Sequence, residues 1–97
     1  MHYLLVKHHV TDFAQWKRVF ERNAPDARVS GLELAHVFRD LADPNLVLVL
    51  CRVRDLKKAQ AFTQRGAASD SAKEGGVIGT PESWWLSQAV DVSWGHR

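Results

Sequence analysis

Five consecutive apolar residues, Leu46-Val47-Leu48-Val49-Leu50, constrain what this chain can fold into more than any other stretch. The run follows the turn-forming residues Ala42-Asp43-Pro44-Asn45 and continues into Cys51, Arg52 and Val53, which predicts a strand over 46–53. Successive side chains of a strand point to opposite faces of its sheet. A strand with one wet face alternates apolar and polar residues, whereas an unbroken apolar run needs cover on both faces. Whatever sheet holds this strand must therefore be covered twice.

The flanking segments say what the sheet is. His2–Val10, rich in aliphatic and β-branched residues, predicts a first strand. A helix follows from Asp12, with Phe13, Trp16 and Phe20 on one face and a capping box formed by Asp12 and Gln15. Pro25 lies too deep for a first-turn proline and is expected to end or kink this helix, with Gly31 closing the segment. Leu32–Leu41 predicts the second strand, and the Asp-Pro-Asn turn makes it an antiparallel hairpin with 46–53. Asp55 caps a second helix over Asp55–Arg65, with Leu56, Ala59 and Phe62 as its apolar stripe. Ser69–Gly76 allows one short further turn of helix, and 82–91 predicts the last strand. The order βαββαβ is the ferredoxin-like split arrangement, an α+β fold in which a four-stranded antiparallel sheet carries both helices on one face. The whole chain, 1–97, forms a single domain of this kind.

Two helices cover one face of such a sheet, so the other needs a different cover. Trp84 and Trp85 are adjacent and must also point to opposite faces. A second copy of the chain, packed sheet to sheet about a two-fold axis, is the simplest cover. A homodimer, forming a dimeric α+β barrel, is the expectation.

Composition excludes several alternatives. A net charge of +2, with basic residues dispersed among acidic ones, offers no stripe for a phosphate backbone, so no nucleic acid partner is expected. Cys51 is the single cysteine, which rules out an intrachain disulfide and a thiolate zinc cluster. No stretch approaches the roughly 20 apolar residues of a membrane span, and Lys7 breaks the short apolar run near the N-terminus. The expectation is a cytoplasmic protein with no membrane partner.

The candidate functional residues are few. His8 and His9 resemble a ligand pair, but strand parity places them on opposite faces, and no metal site is expected. Each is either packed at the strand end or placed in a pocket as an acid, base or hydrogen-bond donor near neutral pH. Parity puts His36 on the face of Leu32, Leu34 and Phe38. If the hairpin closes with Leu41 opposite Leu46, His36 lies opposite Cys51 and Ala35 opposite Arg52. His36 is then a tolerated polar residue or a ligand contact inside the barrel. Arg52 calls for a barrel mouth, an acidic partner such as Glu33, or an anionic ligand. Trp16 belongs to the core; of Trp84 and Trp85, one packs under the helices and the other enters the barrel or the dimer interface, where a ligand could stack. Gly75–Gly79 lacks the flanking strand and helix of a dinucleotide loop and is expected as a flexible connection, a lid over the barrel mouth.

Over residues 3 to 88 the chain resembles a family of small bacterial dimeric α+β barrel proteins within the antibiotic-biosynthesis monooxygenase-like superfamily. The resemblance lies in Lys7-His8-His9 at the end of the first strand, in Asp12, Phe13 and Trp16 at the helix start, and in Phe38, Arg39, Asp43, Pro44 and Asn45 around the hairpin. It implies cofactor-free oxygenation of an aromatic or polyketide-like compound, with no cofactor. The alternatives within that superfamily are heme binding or degradation and a non-catalytic module that binds a metabolite or partner. His8 and His36 are the catalytic candidates, and His9, Arg52, Trp84 and Trp85 the ligand-binding ones. Where the family commonly carries a carboxylate near the end of the third strand, this chain has Arg52, and no role of that acid carries over.

Overall fold

In the computed structural model, β1 (His2–Val10), α1 (Phe13–Val29), β2 (Leu32–Arg39), β3 (Leu46–Val53), α2 (Leu56–Thr63), α3 (Gly66–Glu74) and β4 (Val77–Ser87) follow one another along the chain. The structure describes residues 1–64 and 66–90, without the side chains of 66–69. Arg65 and Asp91, which close the expected second helix and last strand, lie outside the described residues. The strands form one antiparallel sheet in the order β2-β3-β1-β4, which is the ferredoxin-like arrangement.

The β1–β3 register pairs Leu4 with Cys51, Val6 with Val49 and His8 with Val47, which assigns these residues to one face. That face packs on the helices: Leu4, Val10, Val47, Val49, Cys51 and Val53 form the core with Trp16 of α1 and Ala59 of α2. The apolar run of β3 thus divides. Val47 and Val49 are buried, while Leu46, Leu48 and Leu50 are only half-buried on the opposite, open face.

Local chemistry sets the helix limits. The Asp12 carboxylate accepts from the Ala14 amide at 3.0 Å, and the Asp55 carboxylate from the Lys58 amide at 3.1 Å, each satisfying an otherwise unpaired donor at a helix start. The expected capping box is only half made. Gln15 turns away from Asp12 and donates to the Glu74 carbonyl at 2.8 Å, tying α1 to the end of α3. A second tie is the 2.6 Å ion pair between Arg22 and Glu74.

Pro25 does not end α1, the first of the two outcomes the sequence allowed. It lies on the exposed side of the helix, where the carbonyl that loses its amide partner can be hydrated, and Ala27 beyond it packs against the core. The helix ends instead at Ser30 and Gly31. The Gly31 backbone has φ +86°, and a Cβ there would press on Asp55.

Three further boundaries differ from expectation. β2 stops at Arg39, because Asp40 takes up a turn in which its carboxylate accepts from the amides of Ala42 and Asp43. Leu41 is left fully exposed. The region after Thr63 forms a nine-residue helix rather than a single turn. Finally, β4 begins at Val77, so the Gly75–Gly79 stretch is no lid: its second half is already strand.

Candidate functional site

β1 delivers His8 to the helix-covered face and His9 to the open one, as strand parity requires. His8 packs against Trp16, ring centroids 5.3 Å apart, and Trp16 in turn stacks on Phe20 at 4.7 Å. The Nε2 of His8 is shielded from solvent and has no hydrogen-bond partner among the described residues. Burial, with a smaller contribution from the neighbouring charge of His9, pushes the His8 pKa down to about 4. The imidazole is therefore neutral at physiological pH and keeps an unspent hydrogen-bonding nitrogen.

His8 lines a cavity of about 470 Å³ between the sheet and the α2–α3 segment. This volume falls in the range typical of small-molecule sites, about 300–1,000 Å³. Leu4, Val6 and Trp85 form its floor; Phe62, Lys73 and Ser83 contribute to its walls. The register of Leu4 with Trp85 and Val6 with Ser83 puts these β4 side chains on the His8 face.

An irregularity in β4 shapes one side of the cavity. Lys7 pairs with Glu82 and His9 with Ile78, so Gly79, Thr80 and Pro81 bulge opposite His8. Gly79 has φ +70°, and both Gly79 and Pro81 reach the cavity wall. A Gly-x-Pro sequence inside a strand is the signal that could have marked this bulge beforehand. Phe62, Lys73 and Ser83 carried no such signal.

The other candidates lie elsewhere. Trp84 pairs with Leu5 on the open face. His36 is there too, because a bulge between Leu34 and His36 reverses the parity of β2: Leu32 and Leu34 face the helices, whereas His36 and Phe38 face away. This corrects the expected grouping of His36 with Leu32 and Leu34. It also corrects the expected register, since Leu34, not His36, lies opposite Cys51, and Glu33, not Ala35, opposite Arg52. No His36–Cys51 pair exists, and burial pushes the Cys51 thiol up to about 11, which leaves it un-ionised. Arg52 has the acidic partner considered for it, Glu33 at 3.4 Å, which Arg54 also approaches at 3.9 Å. Exposed His9 completes the set on this face.

Among the described residues no cluster of His, Cys, Asp and Glu could hold a metal ion, and no helix is long and apolar enough to cross a membrane.

No protein-family model matches the sequence, and no curated protein does. Solved structures do match in shape. A mutant of SnoaB, a cofactor-independent oxygenase from Streptomyces nogalater, superposes with a TM-score of 0.73 at 14% identity, over 94% of this chain and 95% of that one. An antibiotic biosynthesis monooxygenase structure matches with a TM-score of 0.68 at 12% identity, over 93% and 100% of the two chains. An uncharacterized NIPSNAP domain protein from Burkholderia xenovorans matches at 0.67 and 10% identity, over 96% and 99%. The chain therefore has the ferredoxin-like α+β fold found in antibiotic-biosynthesis-monooxygenase structures, at a sequence distance where the likeness shows the fold alone.

Proposed function

We propose that this protein is a homodimeric small-molecule-binding domain of the antibiotic-biosynthesis monooxygenase type, which takes a hydroxylated aromatic compound into the cavity beside His8. The observation that supports this reading is a neutral His8 with an unpartnered Nε2, in a side chain that lines a largely apolar cavity together with Trp85. A buried polar atom without a partner costs about 1–3 kcal/mol, a cost that a bound hydroxyl group could recover. Trp85 and Phe62 suit a flat apolar ring.

The chemistry in this reading is oxygenation without a cofactor. His8 accepts the proton of a phenolic or enolic hydroxyl, and the Lys73 ammonium on the same cavity stabilises the oxyanion. An adjacent oxyanion raises the pKa of the imidazole, so ligand binding itself makes His8 a better base. For an anthrone-type methylene the balance is simple: one oxygen atom of O2 becomes the new carbonyl, and the other leaves as water with the two methylene hydrogens.

The dimer is supported by the open face. Phe38 is 50% exposed and Trp84 and Leu86 each 41%, beside half-buried Leu5, Leu48 and Leu50. A contiguous apolar face of this kind marks an interaction surface. In a sheet-to-sheet dimer, His9, His36, Arg52 and Trp84 lie at or near the interface rather than at the His8 cavity.

Anthrone incubated with the protein in air-saturated buffer tests the reading, with anthraquinone formation and the His8 Cε1 proton resonance followed together. The expected result is a shifted resonance and conversion above the buffer rate, abolished by His8→Phe. A shifted resonance without conversion would identify a binding module instead. An unmoved resonance at saturating anthrone would refute the proposal.

A further inference from the structure

Two half-open cavities lie between the sheet and the helices, and one side chain lines both. The second, about 430 Å³, lies over β2 and β3 beneath the C-terminal half of α1, where Phe20, Leu32, Leu34 and Cys51 supply its apolar wall. Phe62 of α2 lines this cavity and the His8 cavity alike, and the adjacent α3 residues Ser71 and Ala72 line one each. Because the sheet order is β2-β3-β1-β4, the two cavities sit side by side across the strands. With neighbouring strands about 4.8 Å apart, the span from β4 to β2 is roughly 14 Å.

We infer that the two cavities are compartments of one site, divided by the Phe62 ring, and that its ligand is an elongated, largely apolar molecule with an oxygen acceptor at one end and a hydrogen-bond donor at the other. This rests on the small-molecule reading above and extends it to the ligand's shape and polarity.

The polar groups differ at the two ends. The His8 compartment is lined by Lys73 and Ser83, residues whose ammonium and hydroxyl groups can donate to a carbonyl, phenolate or carboxylate oxygen. The Thr63 hydroxyl there already donates to the Gln60 carbonyl at 2.9 Å. The far compartment is lined by Asp26, whose carboxylate only accepts, and by Asn23, whose carboxamide nitrogen spends one N–H on the Val19 carbonyl at 2.9 Å, beside the Ser30 and Ser71 hydroxyls, which can accept or donate. Such groups recognise a hydroxyl or an amine. Between the ends the walls are apolar, so a ligand that stopped at Phe62 would meet only half of the recognition chemistry.

Two probes separate this inference from the reading beneath it: β-naphthol, which fits one compartment, and β-naphthol carrying a hydroxyhexyl tail, which needs both. The Cε1 proton of His8 reports the first compartment and the ¹³C-labelled methyls of Leu34 the second. Both probes are expected to move His8, and only the tailed one to move Leu34, binding about tenfold more tightly. Phe62→Ala removes a ring contact from both probes and opens the partition for the tailed one only, so the ratio of tailed-probe to β-naphthol affinity is expected to rise several-fold; Phe62→Leu gives a smaller rise in the same ratio should the alanine variant not fold. If both probes move His8 with equal affinity and Leu34 stays still, the cavities are separate and the inference is wrong, while the small-molecule reading stands. If neither probe moves His8, that reading fails as well.

Discussion

Acid should destabilise this protein through His8, and the sign follows from its environment. The unfolded chain protonates this histidine near 6.5, whereas the folded chain resists until about 4. Between those values the unfolded state binds the additional proton, so stability falls as pH drops. The His8 contribution is fully present above 6.5 and fully lost below about 4. At about 1.4 kcal/mol per pKa unit, the shift sets an upper bound of roughly 3 kcal/mol. The ring is partly exposed, and solvent screening reduces this, so we expect a loss of roughly 2 kcal/mol between about pH 7 and pH 4.5. Urea denaturation of wild type and His8→Phe at both pH values, at one fixed protein concentration, measures it. Phenylalanine keeps an aromatic ring against Trp16 and removes both the proton and the unpartnered nitrogen. Carboxylates also titrate in this range, but they do so in both proteins and cancel in the difference. The variant should be at least as stable as wild type at neutral pH and should lose roughly 2 kcal/mol less on acidification. Equal losses in the two proteins, or a His8 resonance titrating near 6.5, would refute the assignment of a buried neutral imidazole.

Trp16→Ala should cost about 3–5 kcal/mol of unfolding free energy by chemical denaturation, because Trp16 is 5% exposed and joins His8, Phe13 and Phe20 in one aromatic cluster. Leu48→Lys puts a charge in the middle of the open face: if that face is the proposed dimer interface, wild type should sediment as a dimer and the variant as a monomer, and equal sedimentation coefficients for the two would refute that interface. Gly76→Ala should destabilise by about 1–3 kcal/mol, since Gly76 has φ +78° and an added Cβ would collide with the Thr11 hydroxyl; a neutral effect on the denaturation midpoint would show that this junction can relax.

Periodicity made the elements legible, because strand and helix patterns are properties of consecutive residues. The unbroken Leu46–Leu50 run and the Trp84-Trp85 pair announced a sheet with two apolar faces, and parity alone separated His8 from His9. The errors came where a rule about neighbours was applied across an irregularity. One extra residue in β2 sent His36 to the face opposite Leu34, and Pro25 was tolerated inside α1, where it and Glu21, four residues earlier, are both exposed. The sequence by itself thus determined the order of the four strands and the first two helices, and the amphipathic faces, which depend on local spacing. Only the tertiary structure decided which face His36 occupies, which carbonyl Gln15 reaches, and that Phe62, Ser83, Trp85 and His8 line one cavity. Those outcomes depend on bulges and on residues far apart in the chain, whose meeting is fixed by packing and not by any pattern in the intervening sequence.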